Sequence, residues 1–142
     1  MLRRRFGEEG ASAVEFALVA APLLMLVIGT LEFGRLLWTR QLMQSLAIST
    51  ARCIGVSQTE CTVGGSFDSA TTKAYVVDEA GRLGVPITAS DVAIQPTTTC
   101  NGLAGFASVT ITYTFVSAAP ELIVALLTGP TVSATACFPN QG

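Results

Sequence analysis

One carboxylate inside a long uncharged run constrains this chain more than any other feature. From Ala11 to Leu31 the only charged residue is Glu15. An acid at the centre of a bilayer costs roughly 2.5 to 3.5 kcal/mol on insertion scales, so an acid within a lipid-compatible span marks a functional position. The 21 residues Ala11–Leu31 rise about 32 Å as a helix. A bilayer's hydrocarbon core is about 30 Å thick. The run therefore reads as one transmembrane helix over 11–31.

The ten residues before it form a short leader. Arg3, Arg4 and Arg5 stand in it, followed by Glu8 and Glu9. Arginines just before an apolar span hold that end in the cytoplasm. The expected location is the inner (cytoplasmic) membrane, single-pass, with the C-terminal domain periplasmic or extracellular. A secretory signal is the competing reading, with an apolar region of about 7 to 15 residues and a small-residue cleavage site. Glu32-Phe-Gly-Arg35-Leu-Leu-Trp38 follows the span without an A-x-A site, which favours retention of the helix.

The helix is expected to continue past the lipid. Between Glu32 and Arg52 there is no proline, and Gly34 is the one weak point. Leu36, Leu42, Met43, Leu46 and Ala47 form an apolar stripe, with Gln41, Gln44, Ser45, Ser49 and Arg52 mostly off it. That is an amphipathic continuation over 32–53. A helix from Ala11 to Cys53 is about 64 Å long. Pro22 in mid-span is expected either to kink it or to mark a point of local unwinding. Ala13, Ala17 and Ala21 share a face, which suits close helix approach in lipid as well as simple helix propensity.

The remaining residues, 54–142, read as an extracytoplasmic α+β domain. Ala70, Ala74, Val77, Ala80 and Gly81 predict a helix over Ser69–Leu83. Val92–Gln95 predicts a strand. In Ala107–Val116, Val109, Ile111, Tyr113 and Phe115 alternate with Ser108, Thr110, Thr112 and Thr114. That alternation is the pattern of a half-buried strand. Pro120–Leu127 reads as a short helix broken by Gly129-Pro130, and Thr131–Phe138 as a last strand. Gly64-Gly65-Ser66 and Cys100–Gly105 read as loops. The fold class is thus a long N-terminal helix carrying a small antiparallel sheet.

The four cysteines, Cys53, Cys61, Cys100 and Cys137, all follow the apolar run. An even number on the oxidising side of a membrane reads as two disulfides. Of the three pairings, Cys53–Cys61 and Cys100–Cys137 is expected, because Cys53 and Cys61 flank a short turn and the other two fall on β segments. No metal is expected, since histidine is absent and there is no C-x-x-C. No cofactor is expected either. The chain has no G-x-S-x-G, no phosphate loop and one lysine, Lys73, so enzymatic activity is not expected. Asp78-Glu79 point apart on a helix and read as a solvated face. A net charge of −2 without a basic, aromatic-interleaved patch argues against nucleic acid as a partner.

Gly10, the small residues to Val14, Glu15-Phe16, Pro22 and Glu32-Phe33-Gly34-Arg35 together resemble the TadE-like family, pilin-like proteins of tight-adherence (Flp, type IVb) pilus systems. The resemblance spans residues 10 to 52. It implies cleavage by a prepilin peptidase after Gly10, leaving Ala11 as the new N-terminus and Glu15 as the fifth mature residue. It also implies other pilin or pseudopilin subunits as partners, and a pilin-like architecture. Phe16 stands where major Flp pilins often carry tyrosine, and the chain is longer than a major pilin. Both departures point to a minor pilin or pseudopilin. Cleavage would create an α-amino group on Ala11, which Glu15 of a staggered neighbouring subunit could neutralise within lipid. Alternatively Glu15 snorkels to the headgroups. Two other functional readings stay open: an uncleaved single-pass envelope protein whose domain binds a partner, and a secreted binding domain released from a signal.

Overall fold

A helix of 48 residues, α1 (Glu8–Gly55), dominates the computed structural model, which describes residues 8–116 and 131–141. Its length is about 72 Å. It runs without interruption through Pro22. Its described part opens within the leader, at Glu8.

The two halves of α1 lie in different surroundings. Up to Leu31 the described side chains are exposed or nearly so. From Glu32 onward a buried stripe runs through Thr39, Met43, Leu46, Ala47, Thr50, Ala51 and Ile54. Leu36 and Leu42 pack against it part-buried. The stripe carries two threonines that the apolar pattern omitted. Thr50 is fully buried because its hydroxyl donates to the Leu46 carbonyl at 2.8 Å, satisfying the group within its own helix.

After α1 the chain makes a 3₁₀ turn (Thr59–Cys61) and a minimal hairpin of β1 (Thr62–Val63) and β2 (Ser66–Phe67). Helix α2 (Ser69–Arg82) and a second 3₁₀ turn (Ala89–Asp91) lead into β3 (Val92–Cys100), β4 (Leu103–Thr114) and β5 (Thr131–Pro139). These last three form an antiparallel sheet in the order β3-β4-β5. Helix α1 packs mainly against β5 and β4. Ala107, Val109 and Ile111 of β4 and Val132, Ala134 and Ala136 of β5 supply the sheet's side of the core. Alanines on both sides, Ala47 and Ala51 among them, allow helix and sheet to approach closely.

The result is α+β, a long N-terminal helix and small antiparallel sheets, as the pattern of apolar residues implied. Several boundaries differ. Strand β3 extends past Gln95 to Cys100, with register shifts between Gln95 and Thr98 and between Thr98 and Thr99. Pro96 sits at that irregularity, on an edge strand, where a missing N–H is tolerated. The expected Cys100–Gly105 loop shrinks to Asn101-Gly102, both at positive φ (50° and 82°). Two such residues build a tight hairpin whose twist matches its strands, so Leu103–Gly105 joins β4. Ser66 likewise belongs to β2. Helix α2 buries Thr72, Val76 and Ala80, whereas Ala70, Ala74 and Gly81 of the expected stripe are exposed. Thr72 can face inward because its hydroxyl bonds the Asp68 carbonyl at 2.7 Å and the Cys61 carbonyl at 3.3 Å. The expected helix Pro120–Leu127 and its Gly129-Pro130 break lie outside the described residues.

Candidate functional site

The first half of α1 is apolar and has nothing of its own chain to cover it. Its most apolar 18-residue window has a mean hydropathy of 2.2, and none of it is buried. Phe16 is 74% exposed and Leu18 71%. The core helix of a soluble domain shows the opposite, so this surface belongs in lipid or against other helices. Among the described residues this is the one helix long and apolar enough to cross a membrane, as in a single-pass protein.

Glu15 stands exposed on this surface beside Phe16. Among the described residues it makes no ion pair. Gly10 and Ala11 lie in the first turns of α1, one turn before it. The helix thus places the Gly10–Ala11 bond and Glu15 on one short rod, about 7 Å apart along its axis.

A second acid marks the other end of the apolar half. Glu32 is only 6% exposed. Arg35 Nη1 donates to its Oε1 at 2.8 Å, and the Arg35 guanidinium carbon lies 5.6 Å from the centre of the Phe115 ring. That separation is within cation–π range. One arginine therefore joins the helix, at the point where its buried stripe begins, to the end of the sheet. In the sequence, Glu32 and Arg35 stand out as the segment after the span without a cleavage site and as part of the resemblance, not as an ion pair. Their three-residue separation, right for a pair on one helix face, was the available signal.

The cysteines come together in two places. Cys53 Sγ lies 2.01 Å from Cys61 Sγ, and Cys100 Sγ 2.02 Å from Cys137 Sγ. The first pair ties the end of α1 to the following turn. The second joins the ends of β3 and β5 across β4.

Residues 10–52 match the model of the TadE-like protein family. The TadE-like segment covers under a third of the chain. It includes Gly10, Ala11, Glu15, Phe16, Glu32 and Arg35, and ends just before Cys53. It is thus α1 itself, from its first turn to its last, and not the sheet domain. The match implies a protein associated with the tight-adherence pilus. No curated protein and no solved structure matches the chain.

Proposed function

We propose that this protein is a minor pilin or pseudopilin that takes part in assembling a tight-adherence (Flp, type IVb) pilus. The observation that carries the reading is the uncovered apolar half of α1 with Glu15 on its surface. A helix of that kind is stored in lipid and then traded to neighbouring helices, and its carboxylate needs a partner in either setting. In this reading the arginine leader faces the cytoplasm, a prepilin peptidase cuts after Gly10, and the sheet domain lies across the inner membrane. The new Ala11 amine of one subunit pairs with Glu15 of another displaced along the axis. In low dielectric that pair sets the stagger, because a charge left alone there is costly. The role is structural rather than catalytic.

N-terminal sequencing of the mature protein tests this. Ala11 as the first residue is expected, and replacing Gly10 by leucine should leave the precursor uncut. An intact N-terminus would instead indicate an uncleaved single-pass envelope protein. Loss of about thirty residues or more, as expected of a removed signal segment, would indicate a secreted domain.

A further inference from the structure

Just beyond the apolar half of α1, the helix and the domain leave an open cleft of about 320 Å³ between them. One wall is a stripe of α1, Gly34, Arg35, Trp38 and Leu42, and the other is the turn after α2, at Leu83 and Gly84. The mouth carries an exposed arginine and an exposed aromatic: the Arg35 side chain is 58% accessible and Trp38 is 68% exposed. Leu83 opposite is 42% exposed. Below, Leu42 and Leu83 lead into the apolar core toward Ile87 and Ile111.

The position of this cleft relative to the membrane selects its occupant. Arg35 follows Leu31 by four residues, about 6 Å along the helix. The headgroup layer on each side of the hydrocarbon is about 5 to 7 Å thick. Arg35 therefore stands at the level of lipid phosphates, with Trp38 at the outer margin, where amphipathic aromatic rings are favoured. Glu32 takes one edge of the Arg35 guanidinium. A guanidinium carries five donors in a rigid fork, so the accessible part can still meet a phosphate. The volume is at the small end for ligand sites, enough for a headgroup and the first part of its chains.

The geometry points to this cleft as a site for an anionic phospholipid of the leaflet at the C-terminal end of the span, its phosphate on Arg35 and its glycerol and upper chains against Trp38, Leu42 and Leu83. The inference rests on the membrane reading of α1 but not on the pilus role. A lipid held there would fix how the domain sits on the bilayer.

The test uses the full-length protein in membranes, with Leu83 replaced by the photo-reactive benzoylphenylalanine. Irradiation followed by mass spectrometry should give an adduct of phospholipid mass. Native mass spectrometry from nanodiscs should show phosphatidylglycerol retained over phosphatidylcholine, by at most about fivefold, the worth of one unpaired arginine at a membrane surface, since Glu32 offsets part of the Arg35 charge. Arg35→Gln should abolish that preference, and the double variant Arg35→Gln/Glu32→Gln, which does not leave the buried carboxylate without its arginine, should abolish it equally while circular dichroism matches wild type. An adduct to a second copy of the chain would assign the cleft to subunit contact and overturn the proposal. So would the absence of an adduct, or equal retention of both lipids. Carbonate extraction of the same membranes reports separately on the span, and release of the protein would overturn the membrane reading together with the cleft. Maturation at Gly10 is read independently of both.

Discussion

Phe138 packs on Gly55 so closely that a Cβ built at Gly55 would lie 2.6 Å from a Phe138 ring carbon and 2.9 Å from the Pro139 carbonyl oxygen. The same glycine's carbonyl accepts from the Gln141 N–H at 2.9 Å. The last turn of α1 and the last strand are thus in backbone-level contact. Gly55→Ala should destabilise the domain by about 1 to 3 kcal/mol, because the neighbour that must give way includes main chain. Chemical denaturation of the full chain in detergent checks this, and an unchanged midpoint would show that the approach relaxes freely.

The two cysteine pairs should differ in both accessibility and worth. Cys53 and Cys61 are buried, whereas Cys137 is exposed and Cys100 half-buried. Mild reductant followed by alkylation and peptide mapping should label Cys100 and Cys137 first. Closing a loop of 37 residues rather than 8 restricts the unfolded chain more, by about 4 against about 2.5 kcal/mol. Replacing Cys100 and Cys137 by serine should therefore cost more than replacing Cys53 and Cys61. Labelling in the reverse order would contradict the difference in exposure.

Asp68 caps α2, its side chain accepting from the Thr71 N–H at 2.7 Å. The Thr71 backbone N–H, and then the Thr71 hydroxyl, hold its carboxyl below the ordinary aspartate value. A carboxyl with a lowered folded pKa contributes stability that is present above its unfolded pKa and is lost as pH falls through the folded value. Wild type should therefore exceed Asp68→Asn in thermal stability above about pH 4. The gap should close as the pH is lowered further. Melting curves of both proteins across that range decide it, and a gap that does not change with pH would remove the ionised cap from the account.

Glu15 separates membrane insertion from assembly. Glu15→Ala removes a charge that opposes insertion by up to about 3 kcal/mol at mid-span and less near its end. The variant should enter membranes at least as well as wild type and be absent from the sheared pilus fraction. Normal amounts in that fraction would refute pairing between subunits through this carboxylate.

What could be read directly from the order of residues is what local periodicity and transfer energy dictate. The uncharged run to Leu31, the continuation of α1, and the alternation Val109-Ile111 against Thr110-Thr112 all follow from spacing. Each is a statement about residues a few positions apart. Tertiary structure decided which polar groups go inside. Thr72 can face inward because its hydroxyl is received by the Asp68 carbonyl and, from eleven residues earlier, by the Cys61 carbonyl. The buried face of α2 thus runs through Thr72, Val76 and Ala80 and leaves Ala70 and Ala74 exposed. Arg35 finds Phe115, eighty residues on, and the acid it pairs with becomes buried instead of solvated. The Asn101-Gly102 turn set the β3–β4 register through backbone angles that composition alone had read as a longer loop. A buried polar group is tolerable only where a partner meets it, and only the fold brings those partners within reach.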